Sequence, residues 1–159
     1  MPQTCGMVFV MRAYFDADHA GDSITCRSRT GCLVYLNFAP VYCISNKQTR
    51  VETRSFRSEF IMMKHCTEYI RGLWYKLHMM EIPCIFPALT YGDNHSVLAN
   101  TTVLDSTLKK KSQGIAYHFV CESASRNKCS TLYVNTHLNP ADLIKKALPS
   151  RDKQKQIVW

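Results

Sequence analysis

A single helical stripe limits what this chain can fold into. Phe56, Phe60, Met63, Thr67, Ile70, Trp74 and Leu77 recur at three- and four-residue steps, the spacing of one face of an amphipathic helix. With Thr53 or Ser55 as N-cap and Pro83 beyond the end, the pattern predicts a helix over 56–80. Such a stripe must be buried against a second layer, and the sequence before it supplies one. Residues 7–15, 31–36 and 41–44 read as short strands. The last two are joined by Asn37-Phe38-Ala39-Pro40, a hairpin turn, so the three should form an antiparallel meander.

Beyond the helix, elements of both kinds alternate. A strand is predicted over 88–92 and a helix over 95–100. The basic run Lys109-Lys110-Lys111 leads into another helix, with Ile115, Phe119 and Val120 inward. A fifth strand follows over 131–134, then a last helix with Asn139 as N-cap and Pro140 in its first position. Short connections after the meander call for crossover helices on a mixed sheet. The fold class is α/β: a five-stranded mixed sheet, three antiparallel strands then parallel ones, flanked by helices. At 159 residues the chain is read as one domain over 1–159, with a core over 7–148 and a basic tail over 149–159.

Composition excludes several classes. Hydrophobic content of 46% with 20% charged residues is not that of a disordered chain. The eight cysteines include no C-x-x-C pair and fall mostly within apolar runs, so they read as reduced, small hydrophobes rather than a disulfide or zinc framework. There is no signal-peptide pattern and no membrane-length apolar run, and the expectation is an intracellular protein without a membrane partner.

Four acids stand out in this frame. Asp16 closes the first apolar run, Asp93 follows the fourth strand, Asp142 opens the last helix, and Glu59 sits near the start of the long helix. Periodicity leaves Glu59 open between a buried position and an exposed first-turn acid favoured by the helix dipole. Carboxylates gathered at one sheet edge oppose one another's ionisation, and the usual compensation is a pair of divalent cations bound through oxygen. The net charge of +8 suits a polyanionic partner, nucleic acid above all. Asp18 reads as a turn residue of supporting role, and Glu52 as a solvated charge. His118 reads as a packing or capping residue of its helix.

The motifs carry a resemblance. Tyr14-Phe15-Asp16-Ala17-Asp18-His19-Ala20-Gly21-Asp22, Arg27-Ser28-Arg29-Thr30-Gly31, 51–60 around Glu59, Gly92-Asp93-Asn94-His95-Ser96, Leu108-Lys109-Lys110-Lys111, Tyr117-His118-Phe119 and Ala141-Asp142-Leu143-Ile144-Lys145-Lys146 follow one another in order. Together they resemble the ribonuclease H domain of copia-type retrotransposon polyproteins. The resemblance implies a ribonuclease H-like fold and a nuclease hydrolysing the RNA strand of RNA–DNA hybrids during reverse transcription. It implies Asp16, Glu59, Asp93 and Asp142 as catalytic, metal-binding acids. The cofactor would be two Mg²⁺, with Mn²⁺ an alternative, set roughly 3.5–4 Å apart to activate water and hold the leaving oxygen.

His137, in the loop where cellular ribonucleases H carry a histidine, is a further catalytic candidate. Lys47, Arg50, Arg54, Lys109, Lys110 and Lys111 are candidates for phosphate contact, and Asn94 for a 2′-hydroxyl. The implied partners are an RNA–DNA hybrid and the reverse transcriptase part of the same polyprotein, in a cytoplasmic virus-like particle or the nucleus. The alternative is an inactive, nucleic-acid-binding remnant of such an element.

Overall fold

The computed structural model describes residues 9–18, 24–49, 55–102 and 111–145. The elements are β1 (Met11–Asp18), β2 (Arg29–Leu36), β3 (Ala39–Lys47), α1 (Ser55–Met79), β4 (Ala88–Gly92), α2 (His95–Thr102), α3 (Lys111–Ser125), β5 (Cys129–Tyr133), a 3₁₀ turn (Thr136–Leu138) and α4 (Asp142–Lys145). The sheet order is β3-β2-β1-β4-β5. β1 to β3 pair antiparallel, and β4 lies parallel to both β1 and β5. The mixed sheet and its meander are those expected from the sequence.

The core lies between the sheet and α1. Ala13, Phe15, Cys32 and Val34 meet Phe60, Met63, Cys66 and Ile70 of the helical stripe. Phe56 and Trp74 only partly join them. Gly72 interrupts the exposed side of α1, and a Cβ there would meet nothing within 4 Å. Gly72→Ala should therefore raise stability by ~0.5–1 kcal/mol through backbone entropy alone, read as a higher urea midpoint. Among the described residues no helix is long and apolar enough to cross a membrane.

Several boundaries differ from expectation. β1 runs on to Asp18 because β2 supplies partners that far, with Asp16 opposite Gly31 and Asp18 opposite Arg29. Asp18 is thus a strand residue, not a turn residue. β3 likewise extends over the polar Ser45, Asn46 and Lys47, each paired to β2. Pairing partners, rather than local hydrophobicity, set these strand ends.

In α3, Ile115 is 83% exposed although the pattern placed it inward. The helix turns Tyr117, Val120 and Ser123 to the protein, and Ile115 lies off that line of three-residue steps. His118 is exposed, touching Tyr117 edge-on, so it neither packs in the core nor caps.

All seven described cysteines are free thiols. Cys32 and Cys66 touch in the core at 3.2 Å, but Cys26 and Cys43 are exposed, contrary to the expectation of buried hydrophobes. Burial pushes the Cys129 thiol up to about 11, against a smaller opposing effect of Arg71. Since the thiolate is the nucleophile, iodoacetamide near neutral pH should alkylate Cys26 and Cys43 and spare Cys129, as peptide mapping by mass spectrometry would show.

Candidate active site

The alternation of β1 decides where its acid points. Ala13 and Phe15 face α1, so Tyr14 and Asp16 face the other side of the sheet. Tyr14 stacks there on Tyr91 of β4, with ring centroids 4.9 Å apart, and meets Tyr35 of β2 edge-on. The β1–β4 register pairs Tyr14 with Tyr91. The pairing ends at that rung, and Asp93 follows the last residue of β4 at the same end of the sheet. A Cβ on Gly92 would strike the Phe15 ring, so glycine lets the two strand ends approach.

Asp142 reaches the same place by a different route. Gly31, opposite Asp16, has no side chain, and a Cβ there would lie 2.8 Å from the Ala141 carbonyl oxygen and 3.5 Å from Ile144. The start of α4 therefore rests on the Asp16–Gly31 pair. Asn139, fully buried, fastens it: Nδ2 donates to the Phe15 carbonyl (3.1 Å) and Oδ1 accepts from the Ala141 amide (3.1 Å). The capping role expected of Asn139 is present, with a tie to β1 added. Ser45 Oγ donates to the Ile144 carbonyl at 2.8 Å and holds the far side of the segment.

Glu59 comes from the opposite layer. The Gln48 amide donates to Ser28 O (2.8 Å), while Gln48 Nε2 donates to Ser58 O (3.0 Å). These bonds fix the first turns of α1 at the end of the sheet where β1 terminates. Glu59 is 8% exposed, which settles the open alternative in favour of the buried position.

Asp16 is 2% exposed, and Asp93 and Asp142 are half-buried. One oxygen each of Asp16 (Oδ2), Glu59 (Oε2) and Asp142 (Oδ1) is buried with no hydrogen-bond donor, while each residue keeps another interaction. Buried carboxylate oxygens are costly in apolar surroundings, and a divalent cation would offset that cost. The all-oxygen donor set suits Mg²⁺ or Mn²⁺ over zinc. Among the described residues no group of three or more His, Cys, Asp or Glu side chains is placed to hold a metal ion. That is compatible with Mg²⁺, which binds through one or two carboxylates and keeps several waters.

The other candidates are more dispersed. Asn94 Oδ1 accepts from the amides of Ser96 (2.8 Å) and Val97 (3.4 Å), so its carboxamide caps α2. His137 is exposed on the 3₁₀ turn between β5 and α4, its amide donating to Asn135 Oδ1. Lys47 is exposed at the end of β3. Arg50, Arg54, Lys109 and Lys110 lie outside the described residues, as do His19, Asp22, Glu52 and the tail over 149–159, and so does the side chain of Lys111. Sequence reasoning missed the stack of His95 on Tyr133 at 3.9 Å. It depends on the pairing of Gly92 with Tyr133, which no local pattern announces.

Sheet order, helix placement and the acid-bearing end together define a ribonuclease H fold. Solved structures agree. The N-terminal RNase H domain of Rv2228c from Mycobacterium tuberculosis superposes with a TM-score of 0.63 at 13% identity, covering 86% of this chain and 91% of that one. LC11-RNase H1, isolated from compost by a metagenomic approach, gives 0.63 at 12% identity, covering 85% and 91%. Its complex with an RNA/DNA hybrid gives 0.61 at 9% identity, covering 84% and 92%.

In sequence, the chain is similar to the retrovirus-related Pol polyproteins of copia-type transposons. It is 28% identical over 145 residues to that of transposon RE2 and 29% identical to that of RE1, both from Arabidopsis thaliana, each match covering 90% of this chain. It is 24% identical over 141 residues, 88% of the chain, to that of transposon TNT 1-94 from Nicotiana tabacum. The chain spans 10% of the length of these relatives. No protein-family model matches it.

Proposed function

We propose that this domain is a divalent-metal-dependent endonuclease that hydrolyses the RNA strand of RNA–DNA hybrids during reverse transcription of a copia-type element. The observation that carries the reading is the meeting of Asp16, the start of α4 and the end of β4 on one face, with Glu59 entering at the same sheet end. When bound, two Mg²⁺ would supply an activated water and a stabilised leaving oxygen. Asp16 would be the central carboxylate holding them, with Asp93, Asp142 and Glu59. Asp142 would complete one ion's site, and Glu59 with Asp93 the other's.

Asn139 and Gly31 hold the start of α4, which carries Asp142, over the ends of β1 and β2, and Phe60 anchors the helix that carries Glu59. Lys47, at the same sheet end, and the net charge of +8 would draw the phosphate backbone. His137 stands beside α4, where a proton-accepting ring would help product leave. As the relatives are polyproteins, the domain would act beside the polymerase part of its own polyprotein, in a cytoplasmic particle or the nucleus.

The test is a hybrid with its RNA strand end-labelled, incubated with the chain across Mg²⁺ and Mn²⁺ concentrations. Metal-dependent cuts in RNA, with duplex DNA left whole, are the result expected. Binding without cleavage in either metal would overturn the nuclease reading and leave a nucleic-acid-binding remnant.

A further inference from the structure

On the side of the sheet away from β5, a groove of about 920 Å³ runs between β3 and α1. Its floor is apolar: Tyr42 of β3 stacks on Tyr69 of α1 with centroids 3.7 Å apart, flanked by Ile44, Ile61 and Leu73. Gly72 opens a notch in its helical wall, since nothing lies within 4 Å of where a Cβ would stand. No neighbour inside the described fold requires a glycine there.

The other wall is the edge of the sheet. Seven of the nine β3 residues are exposed, and among the described residues no strand pairs beyond β3. The edge is blunted at its start by Pro40 and by the register shift at Val34/Tyr35, the usual protections against unwanted pairing. They leave residues 42–46 as a short template, with Tyr42 and Ile44 toward the groove.

We infer that this groove receives an extended acidic peptide strand from a partner protein, added beside β3 as a sixth strand. Strand addition supplies main-chain hydrogen bonds, and alternate side chains supply selectivity. Here the inward side chains would fill the space over Tyr42, Tyr69 and Gly72. The groove's lining carries Lys76 together with Lys47 and Arg57, which keep interactions of their own, against Glu68, paired with Lys64 at 2.7 Å. A nucleic acid would meet the cations but leave the strand edge and apolar floor unmatched. The chain's own last segment is a poor match in charge, with Arg151, Lys153 and Lys155 against Asp152.

The test is selection of a random nine-residue peptide library against the immobilised whole chain. Enriched peptides should alternate apolar residues with Asp or Glu. A synthetic copy should bind at least tenfold more weakly to Gly72→Phe and severalfold more weakly to Lys76→Glu, with thermal melts confirming that both variants fold. Failure to enrich any peptide, enrichment of basic or non-alternating ones, or equal binding to Gly72→Phe would each overturn the inference.

Discussion

Replacing Asp16 with asparagine should abolish hybrid cleavage and leave the chain at least as stable as its parent. The acid is 2% exposed, and its Oδ2 is buried with no hydrogen-bond donor. It stands opposite Gly31, over which the start of α4 lies. Asparagine keeps the shape and removes the charge that would hold both ions. Losing that electrostatic support should lower the single-turnover rate at least ~1000-fold, about 4 kcal/mol at the barrier. The same change relieves a buried negative charge, so the melting temperature should hold or rise. A falling rate with a falling melting temperature would point to misfolding, and a rate within tenfold of the parent would remove Asp16 from the chemistry.

Asn139→Ala should be the most damaging change outside the acids. Its carboxamide satisfies the Phe15 carbonyl and the Ala141 amide at once, in a fully buried position. Alanine leaves two backbone groups without partners, at a cost of roughly 2–4 kcal/mol. Asn139→Asp should do no better, since a carboxylate oxygen would then face the Phe15 carbonyl. Cleavage should fall as well, because the bond to Phe15 holds the segment carrying Asp142 over β1. Urea unfolding of both variants checks this. An unfolding free energy within ~0.5 kcal/mol of the parent would show that water replaces the clamp.

How much of this was legible beforehand varies by element. β4 emerged with the bounds 88–92 because Pro87 and Asp93-Asn94 bracket it. α1 was legible because seven stripe residues agree in phase over six turns. The end of β1 was not, since Asp18 reads as a turn residue until β2 offers it a partner. The face of α3 was misjudged at Ile115, where local hydrophobicity and the packed face disagree.

In the candidate site, the acids stood out by type and position, and the resemblance supported the same four. The burial of Glu59 was undecided, because an acid near a helix start fits either environment until Gln48 ties the helix to Ser28, just before β2. The clamp of Asn139 on Phe15 joins positions 124 residues apart, and the groove beside β3 joins a sheet edge to a helix. No local window contains either of them.

The sharpest test is an anomalous-scattering map of the chain crystallised with Mn²⁺ and an uncleavable hybrid. Peaks touching carboxylate oxygens of Asp16 together with Asp93 or Asp142 are the outcome this geometry requires. Manganese bound elsewhere, with Asp16 turned from Asp93 and Asp142, would contradict it.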